Sequence, residues 1–334
     1  MKNFSIRSLV LSFVCMLAVT AHAQTSRDKI EIVPPNGYKA PKIEQSSELQ
    51  DLLTRSVKEL LAGYPDKSFK PEEISATVID ISDPSNWRSA NYRGNERIYP
   101  ASVVKMFFMA ALERQLEDGK VNMTPELQRG LRDMIVDSSN EATQYILDVL
   151  TDTSSGAELP QKEFDEWQYK RNRVNRFFDA MGYTNINVNQ KTFCEDAYGI
   201  EQQSRRYKGE NRNMITTDAT ARLLAEIAAG RMNTPERTKR MMDLMKRDPF
   251  ADTKDQEDQA HGFTGIALVD RKMTDAKLWS KAGWTSKARH DAAYIETPDG
   301  KKLVVAVYTE NHAKDRNAIP AIAGKIIDGL KGAK

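Results

Sequence analysis

The hydrophobic positions of this chain change period twice. Between residues 46 and 62, Leu49, Leu52, Leu53, Val57, Leu60 and Leu61 recur at helical spacing and Gly63 follows them, which predicts an amphipathic helix. Residues 74–81 carry Ile74, Thr77, Val78, Ile79 and Ile81 and predict a strand; residues 87–98 predict a second one beyond the Asp83-Pro84-Ser85-Asn86 turn. From Pro100 to Gly119 the spacing is helical again, and Val103, Met106, Phe107, Ala110 and Ala111 form a face broad enough to predict burial. Helical patterns continue after Thr124-Pro125-Glu126, from Asn140 onward, and over 162–181, 217–229 and 235–247. The last third returns to strands at 277–285, 292–297 and 302–309, the last two joined by Pro298-Asp299-Gly300, and a helix over 319–330 closes the chain.

Strands at both ends around a helical middle predict an α/β (α+β) sandwich: a five-stranded antiparallel sheet flanked by the terminal helices, plus a helical lobe. The sheet lobe would comprise residues 46–100 and 262–334 and the helical lobe 101–261, with a cleft between them. Residues 183–213 have no clear period and are longer than an ordinary connection, which favours a functional loop. The charged stretch from Asp252 to Asp258 has the pattern of a solvated loop.

The start of the chain is a different kind of segment. Lys2 and Arg7 precede an apolar run from Leu9 to Val19 that is too short to span a bilayer, and Ala21-His22-Ala23 has the small-x-small form of a cleavage site. Residues 1–23 are therefore expected to be a secretory signal peptide and 24–45, with Pro34, Pro35 and Pro41, an extended polar lead. Export to the periplasm or medium follows. The chain has 49 basic and 47 acidic residues, and losing Lys2 and Arg7 brings them into balance, so no nucleic-acid partner is indicated. Of the two cysteines, Cys15 leaves with the leader. Cys194 then has no disulfide partner, and a buried inert thiol is its expected state. No later run reaches membrane-spanning length, His261, His290 and His312 lack metal-ligand spacing, and a monomer without cofactor is expected.

Three short patterns carry chemistry. Ser102-Val-Val-Lys105 opens the apolar helix, placing a weak nucleophile and a basic nitrogen three residues apart beside unpaired backbone N–H groups. The same spacing at Ser26-Arg-Asp-Lys29 has no apolar helix to hold it. Ser138-Ser139-Asn140 falls at a break between helices, where capping is the plain alternative. Lys281-Ala282-Gly283 ends a strand, where a surface lysine beside a bulge is the alternative.

In this order and context the chain resembles the serine β-lactamase and penicillin-binding superfamily, most nearly its class A β-lactamase-like hydrolases, whose marks are S-x-x-K, S-D-N and K-T-G. The resemblance implies an acyl-enzyme mechanism on a small-molecule β-lactam or peptidoglycan-derived amide. Ser102 would be the nucleophile and Lys105 its base, with Lys105 losing its proton readily near the Lys281 cation. Ser138 would relay a proton to the leaving nitrogen, Asn140 would hold substrate or lysine, and Lys281 would attract a substrate carboxylate. Gly283 would leave room for the acyl group, and the N–H groups of Ser102 and Trp284 would form the oxyanion hole. Ser139 and Ala282 depart from the family pattern. His290 falls where many class A enzymes carry a carboxylate-binding arginine; its neighbour Arg289 would face the other side of the strand. The loop pattern E-x-x-x-N is absent: counting forward gives Thr192 for the water-activating position, counting backward gives Glu201, and Glu195 and Asp196 are further candidates. The rival readings are a penicillin-binding, D-alanyl peptidase or esterase-like enzyme with little β-lactam turnover, and a non-catalytic periplasmic binding protein of the same fold.

Overall fold

Alternation along the strands decides how this molecule is layered. The computed structural model describes residues 29–65 and 68–331; the expected signal peptide, residues 1–23, lies outside them. In chain order the elements are β1 (Ile43–Gln45), α1 (Ser47–Ala62), β2 (Ile74–Asp80), β3 (Trp87–Tyr92), α2 (Val104–Glu117), α3 (Pro125–Ile135), α4 (Asn140–Thr151), α5 (Gln161–Arg171) and α6 (Arg173–Ala180). There follow α7 (Ile200–Arg205), α8 (Thr217–Ala228), α9 (Pro235–Met245), β4 (Lys246–Arg247), α10 (Gly265–Asp270), β5 (Lys277–Trp284), β6 (Ala288–Glu296), β7 (Lys302–Glu310) and α11 (Ala318–Leu330).

The sheet order is β1-β3-β2-β7-β6-β5-β4. The five expected strands are its antiparallel centre, with β2 from the start of the chain paired to β7 from its end. Two short edges extend it: β1 runs parallel to β3, and β4 pairs with β5 over two residues. Ala76, Val78, Val305, Val307 and Ala293 point to a layer made by α1, α10 and α11; Ile79, Val304, Ala306 and Ala292 point the other way, to the helical lobe. Side chains two apart share a face, so one strand serves two cores. Within the helical lobe α2 is buried along nearly its whole length, every residue from Val104 to Leu116 being inside.

Several boundaries differ from expectation for local reasons. The helix expected over 162–181 breaks at Asn172, whose side-chain oxygen accepts from Asn175 and Asn189. Strand β3 stops at Tyr92 because Arg93 adopts a left-handed φ of 53°. Strand β6 begins four residues before the expected position: Arg289, His290 and Asp291 are buried there, and their polarity hid the strand. The described part of the extended lead is not free. Ile32 is buried, Glu31 pairs with Arg173 and Arg176, and Tyr38 donates to Glu226, so the lead straps the helical lobe before entering the sheet as β1. Among the described residues no helix is long and apolar enough to cross a membrane.

Candidate active site

The break in the backbone before α2 places the first functional side chain. Ser102 lies in a single 3-10 turn, Ala101–Val103, and α2 starts only at Val104; the expectation of Ser102 in the first α-helical turn is corrected accordingly. Ala101 is held at φ 47° and Ser138, across the cleft, at φ 58°. Left-handed non-glycine residues cost on the order of 1 kcal/mol or more and persist where packing over-determines them. Here both flank or carry a hydroxyl of the site. The packing comes from β5: a Cβ on Gly283 would fall 2.7 Å from Pro100 O and 3.0 Å from Ser102 N. The space expected at Gly283 for an acyl group is thus taken by the Ser102 turn itself, and glycine is needed for strand and turn to touch.

Strand register orients the donors. Thr285 N bonds to Ala288 O, so the N–H groups of Lys281 and Gly283 also face β6, while those of Ala282 and Trp284 face the edge that β4 has already left. The Trp284 N–H therefore opens into the cleft beside Ser102 N. The Trp284 indole is 49% exposed and tied by its own N–H to Ala313 O at 3.0 Å.

The three motifs meet at Ser138. Its Oγ lies 3.4 Å from Lys105 Nζ and 3.0 Å from Lys281 Nζ. Lys105 also donates to Ser138 O and, at 2.9 Å, to Asn140 Oδ1. Ser139 caps α4 through a bond from Ala142 N, which turns Asn140 inward. Both lysines are fully buried. Burial pushes Lys105 down to about 7, against the opposing fields of Glu141 and Cys194. Lys281 is pushed well below its ordinary range by burial first, then by the Lys105 and Arg247 cations, with Asp291 opposing. Desolvation is the largest cause for both lysines, and their mutual repulsion further disfavours charging the two at once.

The structure redistributes the remaining candidates. His290 was expected to bind substrate; it is instead fully buried behind the Ser102 turn, its ring packed at a tilt of 33° against Tyr308. Thr309 N donates to its Nδ1, so the proton sits on Nε2 and is given to Tyr99 O at 3.0 Å. It braces the segment leading to Ser102. Burial pushes His290 down to about 4, below the value of 6.5 in an unfolded chain. The unfolded chain binds this proton more readily, so the stabilisation is complete above pH 6.5 and is lost as pH falls through 4. Urea unfolding at pH 7 and pH 4.5 should show a loss ~2 kcal/mol larger in the unmodified protein than in His290→Asn, from the one-unit value of 1.36 kcal/mol; equal losses would mean the ring is not held neutral. Arg289 does face the opposite side, bonded to Gly262 O, Ala313 O and Glu257.

Glu201 is also removed from the catalytic set. It is 1% exposed, with Arg171 at 2.7 and 2.9 Å, Lys191 at 3.3 Å and Ser155 at 2.8 Å. Both of its oxygens are committed to these partners. Cys194, expected to be buried, is exposed, and its Sγ accepts from Asn140 Nδ2 at 3.4 Å, so the 183–213 loop does reach the site. Exposed Glu195 is its neighbour. Thr192 is buried with an unpartnered hydroxyl, and Asp196 bonds to Arg205.

Two contributors escaped sequence reasoning. Arg247, at the end of β4, donates to Ile135 O and bears on Lys281. Gln259 connects Lys281 to the end of α3. Both lie in stretches with the polarity of ordinary surface, and no local pattern marks them.

The model of the beta-lactamase enzyme family matches residues 123–330, a span that includes Ser138, Asn140 and Lys281. No curated protein matches the chain. Among solved structures, PBP-A is similar at 16% identity over 88% of this chain and 99% of that one, with a TM-score of 0.59. A beta-lactamase from Sphaerobacter thermophilus DSM 20745 is similar at 20% identity, covering 85% and 95%, with a TM-score of 0.56. The TLA-1 extended-spectrum beta-lactamase, a serine-to-glycine variant, is similar at 16% identity over 84% and 99%, with a TM-score of 0.61. At such identities the likeness is one of fold.

Proposed function

Because this chain belongs to the beta-lactamase enzyme family, we propose that it is an exported, monomeric serine hydrolase that opens an amide of the β-lactam or peptidoglycan type through an acyl-enzyme on Ser102. The observation that carries the reading is Ser138 Oγ lying between Lys105 Nζ and Lys281 Nζ, beside a Ser102 turn pressed onto β5.

In the proposed reaction Ser102 Oγ attacks the acyl carbon and its proton passes to neutral Lys105, whose pKa of about 7 leaves a large deprotonated fraction at neutral pH. The oxyanion is held by the N–H groups of Ser102 and Trp284. As the C–N bond breaks, Ser138 gives its proton to the leaving nitrogen and recovers one from the lysines on either side. Asn140 keeps Lys105 aimed at this relay. Water then releases the acyl group.

That last step favours the second reading, an enzyme of penicillin-binding type with slow turnover. Glu201 is locked in ion pairs, which leaves Glu195, exposed beside the Cys194 that touches Asn140, as the loop acid proposed to activate water. Export rests on the leader sequence of residues 1–23. Incubation with benzylpenicillin followed by intact mass should give one adduct, mapped to Ser102 and missing in Ser102→Ala, and a chromogenic cephalosporin should show whether it turns over. An adduct retained in Ser102→Ala removes the assignment.

A further inference from the structure

Two donors at the cleft edge converge on one oxygen, and that oxygen belongs to the protein. Gln259 Oε1 accepts from Lys281 Nζ at 2.6 Å and from Ala282 N at 3.1 Å. Its Nε2 donates to Ile135 O at 3.0 Å and Val136 O at 2.8 Å, three and two residues before Ser138. The Lys281 amine and a backbone N–H aimed at the same point, on the strand edge that also carries the Trp284 N–H, make a seat for an anionic oxygen. Here a neutral amide occupies it.

The terminal nitrogens of the neighbouring arginines are committed as well, while the Nε groups of Arg247 and Arg289 are buried without a partner. Lys281 is fully buried, and its three N–H directions are taken by Ser138 Oγ, Gln259 Oε1 and Ala282 O. Ala282 has no hydroxyl to offer. Arg247 donates to Leu244 O, Lys246 O and Ile135 O. Arg289 is held by Glu257, Gly262 O and Ala313 O, and His290 by Tyr99 O and Thr309 N.

We propose that Gln259 fills the acid seat of the acyl-enzyme site, so that this protein selects acyl donors without requiring a carboxylate beside the scissile bond, neutral amides and esters included. The inference rests on the Ser102 reading and narrows its substrate class. Gln259 acts here as a specificity residue, and it also fixes the spacing between β5 and the Ser138 loop.

The test compares two acyl donors that differ only in that charge, benzylpenicillin and its methyl ester, by the rate at which each labels Ser102 in the full chain. The two rates should agree within about threefold, because a charge-assisted hydrogen bond to the acid, which would separate them by about tenfold or more, is not formed. Gln259→Ala, which uncovers both donors, should raise the ratio of the acid rate to the ester rate by about tenfold, whatever the loss of the brace does to both rates in common. A free acid already about tenfold faster than the ester in the unmodified protein overturns the inference alone. Failure of both compounds to label Ser102 overturns the acyl-enzyme reading and takes the inference with it. The comparison in the unmodified protein does not depend on whether the variant folds.

Discussion

Lys105→Met should slow acylation of Ser102 by ~10²-fold or more, the scale of losing a general base. Methionine keeps most of the volume within the apolar run of α2, so the loss would be chemical and not a failure of packing. The unmodified protein should also show a pH limb. With Lys105 pushed down to about 7 by burial, acylation should fall tenfold per pH unit below that value, as the amine that must accept the Ser102 proton is already protonated, and should level off above it. Stopped-flow acylation by a chromogenic β-lactam, between pH 5 and 9, measures both effects. A Lys105→Met rate equal to the parent's, or a limb unchanged by the substitution, would put the base elsewhere.

Glu201→Ala should cost ~3–5 kcal/mol of unfolding free energy, because it leaves two buried cations, Arg171 and Lys191, short of their shared partner. Burial alone would raise the Glu201 carboxyl, yet Arg171, Lys191 and the Ser155 hydroxyl bring it below its ordinary value, so it is ionised at neutral pH and its contribution is lost only as pH falls through that lowered value. Asp148 compensates in part, since it also touches Arg171 and Lys191. Denaturant unfolding gives the stability change, and deacylation of the folded fraction gives the catalytic one. The expected pair is a large loss in the first and little in the second. The reverse pair, a stable protein whose acyl-enzyme no longer hydrolyses, would return Glu201 to catalysis.

The contrast between these two residues indicates what a sequence of this kind discloses. Lys105 was legible because a cation inside an apolar helix contradicts its surroundings, and because Thr124 and Ser139 cap the two helices that pack against its own. The five central strands were legible from β-branched runs. Glu201, His290 and Gln259 were not, for a common physical reason. A polar side chain becomes structural when distant groups satisfy it: Arg171 is 30 residues from Glu201, Tyr99 is 191 from His290, and Ile135 is 124 from Gln259. Until those partners are placed, each of the three has the pattern of a solvated residue. The two edge strands, of three and two residues, are too short to leave a period at all.

The strap formed by the lead has a further consequence, for the order in which the molecule assembles. Glu31 must wait for Arg173 and Arg176, 142 and 145 positions later, and β2 must wait for β7 before its second edge is filled. Contacts this distant carry a large loop-closure entropy and slow the search for the native state. The first described residues to leave the ribosome therefore find their seat only once the middle of the chain has emerged, and a chain threaded outward from its amino end would keep β2 bare on one side until β7, Lys302–Glu310, arrives.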